Sequence, residues 1–123
     1  MIHLDTGFLI RALIPGTEQD ERLREWCRTY EPLATSAIAW AEFLCGPVNA
    51  EQIDLATRLV SQRVAFAEDD ARLASQLFNE SGRRRGSLTD CMIAASAIRL
   101  AAPLATLNPG DFRKFEESGL VLA

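Results

Sequence analysis

The segment IHLDTGFLIRAL, residues 2–13, combines the features of a strand and a helix around a single acid. Residues 2–5 form a short apolar run typical of a β-strand, and residues 6–14 place apolar side chains on one side of a predicted helix. Asp5 therefore occupies the carboxyl end of a strand, at a strand-to-helix corner. An acid at such a corner serves either as a helix cap or as part of a site.

Short apolar runs alternate with longer amphipathic segments along the rest of the chain. Further helices are predicted at residues 17–30, 36–45, 49–61, 68–81 and 87–101, with a short helical turn at 110–116. Further strands are predicted at residues 32–35, 63–67, 103–106 and 120–122. This alternation predicts an α/β fold with a parallel sheet and helices on both faces. In such a sheet the functional crevice lies beyond the carboxyl ends of the strands.

Length and composition indicate one domain, residues 1–123, with 48% hydrophobic residues and 24% charged residues. The chain contains neither an apolar run long enough for a membrane span nor the features of a secretory signal, so we expect a cytoplasmic protein. Cys27, Cys45 and Cys91 are odd in number and far apart, which argues against disulfides and zinc motifs and favours burial. Because His3 is the only histidine, catalysis here would rest mainly on carboxylates.

Four carboxylates stand at strand–helix junctions or on an apolar helix stripe, namely Asp5, Glu42, Asp90 and Asp111. Each also has a purely structural interpretation: a cap at Asp5, a buried ion pair at Glu42, dipole compensation at Asp90 and a turn at Asp111. A parallel sheet would gather them at one edge, where they would repel one another unless a cation were bound. Oxygen ligands without His or Cys suit Mg²⁺ or Mn²⁺, which activate water and stabilise phosphoryl oxygens.

Four segments carry a resemblance that covers essentially the whole chain: LDTGFLIRAL (4–13), TSAIAWAEF (35–43), LTDCMIAASA (88–97) and LATLNPGDF (104–112). In this order and spacing they resemble the motif regions of PIN-domain ribonucleases. Size and motif order are especially similar to the VapC-type toxins of toxin–antitoxin pairs. The resemblance implies a single PIN domain with a three-layer α/β/α sandwich and a central, mainly parallel, five-stranded sheet.

The same resemblance implies a catalytic metal site made of Asp5, Glu42, Asp90 and Asp111. In the last motif Asn108 is an alternative to Asp111, which we favour. The supporting polar groups are then Thr6, Thr106 and Asn108. Gly7 stands where family members often carry Asn or Ser, so one polar contact near the metal is expected to be missing.

In function, the resemblance implies Mg²⁺- or Mn²⁺-dependent hydrolysis of RNA phosphodiester bonds, with a 5′-phosphate and a 3′-hydroxyl as products. It also implies inhibition by a small VapB-type antitoxin and a homodimeric toxin. Two alternatives stay open: a PIN nuclease in RNA processing outside a toxin–antitoxin pair, and a catalytically decayed PIN binding module.

The segment GRRRG, residues 82–86, precedes the predicted helix that carries Asp90. Arg83, Arg84 and Arg85 form either a solvated loop or a patch that contacts RNA phosphates or an acidic antitoxin. A phosphate-binding patch would reconcile the net charge of −4 with an RNA substrate.

Two other enzyme classes share part of the first motif. LDTG matches the signature of aspartic proteases, but those enzymes pair two such loops on β-rich scaffolds. A phosphatase with an aspartyl nucleophile normally carries a second Asp two residues later, where this chain has Gly7. Both interpretations are therefore weaker than a nuclease.

Overall fold

In the computed structural model, which describes residues 1–123, a four-stranded parallel sheet forms the middle layer. The strands are β1 (Ile2–Leu4), β2 (Leu33–Ser36), β3 (Gln62–Val64) and β4 (Leu104–Ala105). Their spatial order is β3-β2-β1-β4, and every pair is parallel. The chain builds outward from β1 to β3 and then returns to place β4 on the other side of β1. The order of the strands therefore reverses between β1 and β4, which is where ligands bind in open α/β sheets.

Two helices connect each pair of consecutive strands. They are α1 (Thr6–Ala12) and α2 (Glu18–Arg28), α3 (Ala37–Leu44) and α4 (Ala50–Leu59), and α5 (Glu68–Glu80) and α6 (Leu88–Arg99). After β4 come α7 (Pro109–Phe112) and a 3₁₀ helix (Arg113–Ser118). None of these helices is both long and apolar enough to cross a membrane.

Local sequence accounts for where several helices begin. The Thr17 side chain accepts a hydrogen bond from the backbone N–H of Asp20 and caps α2, and the Ser36 side chain caps α3 through the N–H of Ala39. Hydroxyl caps satisfy N–H groups that the first helical turn leaves unpaired. The capping of α3 by Ser36 fixes the junction between β2 and the helix that carries Glu42.

Apolar side chains form two cores, one on each face of the sheet. The first includes Phe8 and Leu23 and packs α1, α2 and α4 against the sheet. The second includes Leu77 and Ile93 and packs α5 and α6 against the other face, while α3 contributes to both cores. This arrangement confirms the predicted three-layer α/β/α fold.

The predicted fifth strand at residues 120–122 is reduced to a single bridge. Leu122 pairs in parallel with Leu104, and the Leu104 N–H donates to the carbonyl of Val121 at 2.8 Å. Since β4 has only two residues, it offers a very short edge for further pairing. The sheet therefore has four strands rather than five.

The expected burial of all three cysteines is wrong for two of them. Cys91 is buried in α6, whereas Cys27 and Cys45 are exposed at the ends of α2 and α3. All three thiols are free.

Candidate active site

Asp5 lies at the point where the strand order reverses, immediately after β1. Its carboxylate is 8% exposed and accepts hydrogen bonds from the Thr6 N–H and the Thr106 hydroxyl, both at 2.8 Å. Thr106 directly follows β4, so these bonds join the carboxyl ends of the two neighbouring strands. Burial raises the pKa of Asp5, as does the negative charge of Glu42, although both hydrogen bonds favour the carboxylate.

Glu42 reaches the same corner from α3. Its Oε1 accepts a hydrogen bond from the Thr6 hydroxyl at 2.8 Å, and the same hydroxyl is 3.3 Å from the carbonyl of Ala39. The expected apolar environment is wrong, because Glu42 is exposed and the neighbouring Cys45 is exposed too. Glu42 therefore avoids the cost of an unpaired buried charge while still lying beside α1.

Asp90 lies in the first turn of α6. Burial is the main cause that raises the pKa of Asp90 to about 6. The negative charges of Asp5, Asp111 and Glu42 raise it further, while the positive charge of Lys114 opposes them. The fold has therefore brought four distant acids into one electrostatic environment.

A small polar cavity of about 70 Å³ joins Asp90 to the last motif. No hydrophobic residue lines it; the lining residues are Arg84, Arg85, Gly86, Ser87, Asp90, Asp111 and Lys114. Asp111 faces this cavity from α7, whereas the neighbouring Asn108 does not line it. Asn108 instead donates its backbone N–H to the Thr106 hydroxyl at 3.2 Å. Of the two candidates in the last motif, only Asp111 therefore lines the cavity together with Asp90.

The donor chemistry of these four acids fits a divalent cation bound partly through water. No three Asp, Glu, His or Cys side chains stand close enough together to coordinate one ion directly. Mg²⁺ keeps several of its waters in proteins and uses one or two carboxylates. A repelling set of oxygen donors, without nitrogen or sulfur, is the kind of site that such an ion neutralises.

Two further residues near the acids are Gly7, where the sequence predicts a missing polar contact, and Lys114, for which the sequence makes no prediction. At Gly7 an added Cβ would lie 3.2 Å from Leu107 Cδ1, so a side chain there would require the partly exposed Leu107 to move by a few tenths of an ångström. Lys114, the only lysine, lines the acidic cavity but was not predicted as a site residue. Its position three residues after Asp111, on the next helical turn, is the only sequence signal for it.

Comparison with known proteins places this geometry in a family. A family model described as the PIN domain matches residues 2–117. The chain belongs to the PIN domain family. PIN domains are generally nucleases, so membership supports a hydrolase that acts on nucleic acid. Comparison with curated proteins gives no significant match.

Solved structures with the same fold include several toxin–antitoxin complexes. VapBC-1 from nontypeable Haemophilus influenzae is 26% identical with a TM-score of 0.72, and the match covers 100% of this PIN domain and 97% of that chain. A toxin–antitoxin complex from Klebsiella pneumoniae is 26% identical with a TM-score of 0.72, over 92% and 91% of the two chains. VapBC2 from Rickettsia felis, bound to promoter DNA, is 21% identical with a TM-score of 0.75, over 100% and 98%. The resemblance to PIN-domain, VapC-type proteins is thus confirmed.

Proposed function

We propose that this PIN domain is a Mg²⁺- or Mn²⁺-dependent endoribonuclease and acts as a VapC-type toxin. The observation that carries the proposal is the shared environment of Asp5, Glu42, Asp90 and Asp111 beyond the carboxyl ends of β1 and β4. Four acids that repel one another destabilise a fold unless a bound cation neutralises them. Acids in such an environment are typical of functional sites. The substrate would be an RNA phosphodiester, cleaved to a 5′-phosphate and a 3′-hydroxyl.

The four acids would surround the metal, with one or two carboxylates in direct contact and the others acting through water. When bound, the ion would lower the pKa of water and offset charge on the phosphate. Thr106 and the Thr6 N–H fix the two oxygens of Asp5, so this carboxylate cannot rotate freely. The Thr6 hydroxyl likewise orients Glu42. Such second-layer hydrogen bonds orient ligands and commonly affect metal affinity or activity by about 10–100-fold.

Removal of single carboxylates tests the nuclease activity. Asp5→Asn and Asp90→Asn keep the shape of each side chain and remove its charge, so we expect cleavage of a labelled single-stranded RNA in Mg²⁺ or Mn²⁺ to fall by about 100-fold or more. Asp69→Asn is the matched control, because Asp69 is exposed in the first turn of α5 and lies outside the site. Wild-type rates in Asp5→Asn and Asp90→Asn would contradict the assignment.

We further propose a small VapB-type antitoxin as partner, docked in an apolar groove between α1, α2 and α4. The groove has a volume of about 570 Å³, and six of its ten lining residues are hydrophobic: Ala12, Leu13, Leu23, Cys27, Leu55 and Leu59. Leu55 is 39% exposed, so its apolar side chain is accessible to a partner at this groove. The relatives named above are complexes of toxin with antitoxin, which supports this class of partner.

Co-expression with the small protein encoded by a neighbouring reading frame tests the partner. Leu55→Asp should abolish co-purification, whereas Val121→Asp, at a position 59% exposed and outside the groove, should not. Light scattering of the purified protein tests the proposed homodimer in the same preparation. Active nuclease without such a partner would favour a role in RNA processing, and a chain that neither binds Mn²⁺ nor cleaves RNA would be a decayed binding module.

A further inference from the structure

Three basic side chains in the acidic cavity form no ion pair and donate no side-chain hydrogen bond within the protein, although Lys114 Nζ lies 5.2 Å from the Phe115 ring centroid. Arg84, Arg85 and Lys114 line the cavity together with Asp90 and Asp111, yet no ion pair within 4.0 Å joins the two sets. Elsewhere the arginines that face acids form ion pairs, for example Arg24, Arg28, Arg58, Arg72 and Arg99. The cavity therefore contains basic groups and carboxylates that are not paired with each other.

The loop that carries the arginines is anchored at both ends. Arg83 has a left-handed backbone with φ of 55°, its guanidinium lies 5.3 Å from the Phe78 ring centroid, and it donates a hydrogen bond to Asn79. The Ser87 hydroxyl donates to the Arg84 carbonyl at 2.8 Å. Gly86 also has positive φ, which allows the chain to turn into α6 at low cost. The first arginine is thus bound to α5, and the next two line the cleft.

We propose that Arg84, Arg85 and Lys114 form a subsite for an RNA backbone phosphate next to the bond that is cut, and that Arg83 only anchors the loop. This inference rests on the proposed nuclease function and assigns different roles to the three adjacent arginines. Guanidinium groups bind phosphate oxygens in fixed geometry, and an unpaired cation exchanges only water and counterions for the phosphate. The cleft has no aromatic lining for base stacking, so the subsite reads the backbone and not the sequence.

The acids and the bases of the cavity would bind groups of opposite charge. Asp90 and Asp111 would hold the cation, while the three bases bind a phosphate whose negative charge the acids alone would repel. This division explains how a chain with net charge −4 can bind a polyanion at one edge. It also predicts that RNA binding depends on salt through these few contacts.

Salt-dependent RNA binding separates this subsite from the nuclease chemistry. The assay is fluorescence anisotropy of a labelled single-stranded RNA in Mg²⁺ at several salt concentrations. The protein is the Asp5→Asn variant, which should bind the RNA without cleaving it. Arg84→Ala, Arg85→Ala and Lys114→Ala, each added to Asp5→Asn, should weaken binding about 3–10-fold at low salt. Each should reduce the slope of log K against log salt by about 0.7. The two arginine-to-lysine variants should retain most of the slope because they keep the charge.

Two controls make the outcome decisive. Arg72→Ala removes an exposed arginine that pairs with Glu68 on α5, and it should leave both affinity and slope unchanged. Arg83→Ala should leave the slope nearly unchanged as well, because its guanidinium is hydrogen-bonded to Asn79 and does not line the cavity. An unchanged slope in Arg84→Ala and Arg85→Ala, with normal thermal unfolding, would overturn the subsite even if the wild type cleaves RNA. Loss of antitoxin binding without any change in RNA binding would instead assign the loop to a protein partner.

Discussion

Asp5 caps a helix and also contacts the neighbouring strand. One of its oxygens accepts the Thr6 N–H at the start of α1, and the other accepts the Thr106 hydroxyl after β4. Capping of α1 is therefore compatible with the role that we propose for Asp5 in the active site. The sequence could identify such acids because they follow apolar runs. The sequence could not show that Glu42 is exposed, because the helix position relative to the core depends on packing partners far along the chain.

His3 illustrates a residue whose importance the sequence does not reveal. It is completely buried in β1, and neither ring nitrogen has a hydrogen-bond partner. Burial lowers the pKa of His3 to about 4, although the negative charge of Asp70 acts in the opposite direction. The folded protein therefore contains a neutral histidine at a pH where an exposed histidine is charged.

This histidine predicts that the protein loses stability in mild acid. The unfolded chain binds a proton at His3 with the ordinary pKa of about 6.5, while the folded chain does so only near pH 4. The free energy of unfolding should therefore fall as the pH drops from 6.5 to 4, and His3 should account for about 2 kcal/mol between pH 7 and pH 5. Urea unfolding of the wild type and of His3→Leu at both pH values measures this difference, since the other titrating groups are common to both proteins. Equal losses in the two proteins would show that His3 titrates normally after folding.

At the level of elements, the sequence located every helix but placed the ends of strands less well. The strand predicted at 63–67 is Gln62–Val64 in the structure, because its length is set by pairing with β2, where Thr35 lies opposite Arg63. The strand predicted at 120–122 pairs only through Leu122. Helix limits depend on nearby caps, such as Ser36, whereas strand limits depend on a partner that local sequence does not identify.

The acids at the start of α5 look alike in sequence and differ in the fold. The run EDD at 68–70 predicts three acids that favour the helix dipole, but Asp70 is completely buried whereas Asp69 is exposed. Asp70 forms an ion pair with Arg99 of α6 at 2.5 Å and accepts the N–H of Ala67 at 2.8 Å. Of the three acids, only Asp70 is therefore buried in the contact between α5 and α6.

This contact predicts unequal effects of two neighbouring substitutions. Asp70→Ala should lower the free energy of unfolding by about 2–3 kcal/mol, because it leaves an N–H unpaired and removes the partner of Arg99. Asp69→Ala should change it by less than about 0.5 kcal/mol. Urea unfolding at pH 7 measures both values. A similar loss in the two variants would mean that the dipole effect, and not the α5–α6 ion pair, dominates at this helix start.

At the scale of the whole molecule, the candidate site depends on the path of the chain, which returns after β3 to place β4 beside β1. The strand order β3-β2-β1-β4 brings Asp5 and Thr106 together although they are far apart in sequence. The general rule for parallel sheets predicts that Asp5 and Thr106 meet beyond the carboxyl ends of the strands, without knowledge of that order, and their hydrogen bond agrees with it. It did not reveal Lys114, because a basic residue in a short 3₁₀ segment has no pattern until the neighbouring acids are located.

The collected acids also connect the site to the stability of the whole protein. Without a cation, Asp90 is repelled by Asp5, Asp111 and Glu42, and this repulsion opposes folding. A bound divalent ion removes the repulsion and adds binding energy that the unfolded chain lacks. Loss of one acid therefore weakens the repulsion and the metal binding together.

Thermal unfolding in EDTA and in Mn²⁺ should separate these two effects. The wild type should gain about 2.7 kcal/mol when Mn²⁺ is at 100 times its Kd, which corresponds to a rise in Tm of several degrees. Asp90→Asn should unfold at a higher Tm than the wild type in EDTA, because the repulsion is reduced, and should gain little from Mn²⁺. Asp69→Asn should keep the wild-type response, since Asp69 lies on α5 outside the site. If Mn²⁺ raises the Tm of Asp90→Asn as much as that of the wild type, the ion binds elsewhere and the four acids are not its ligands.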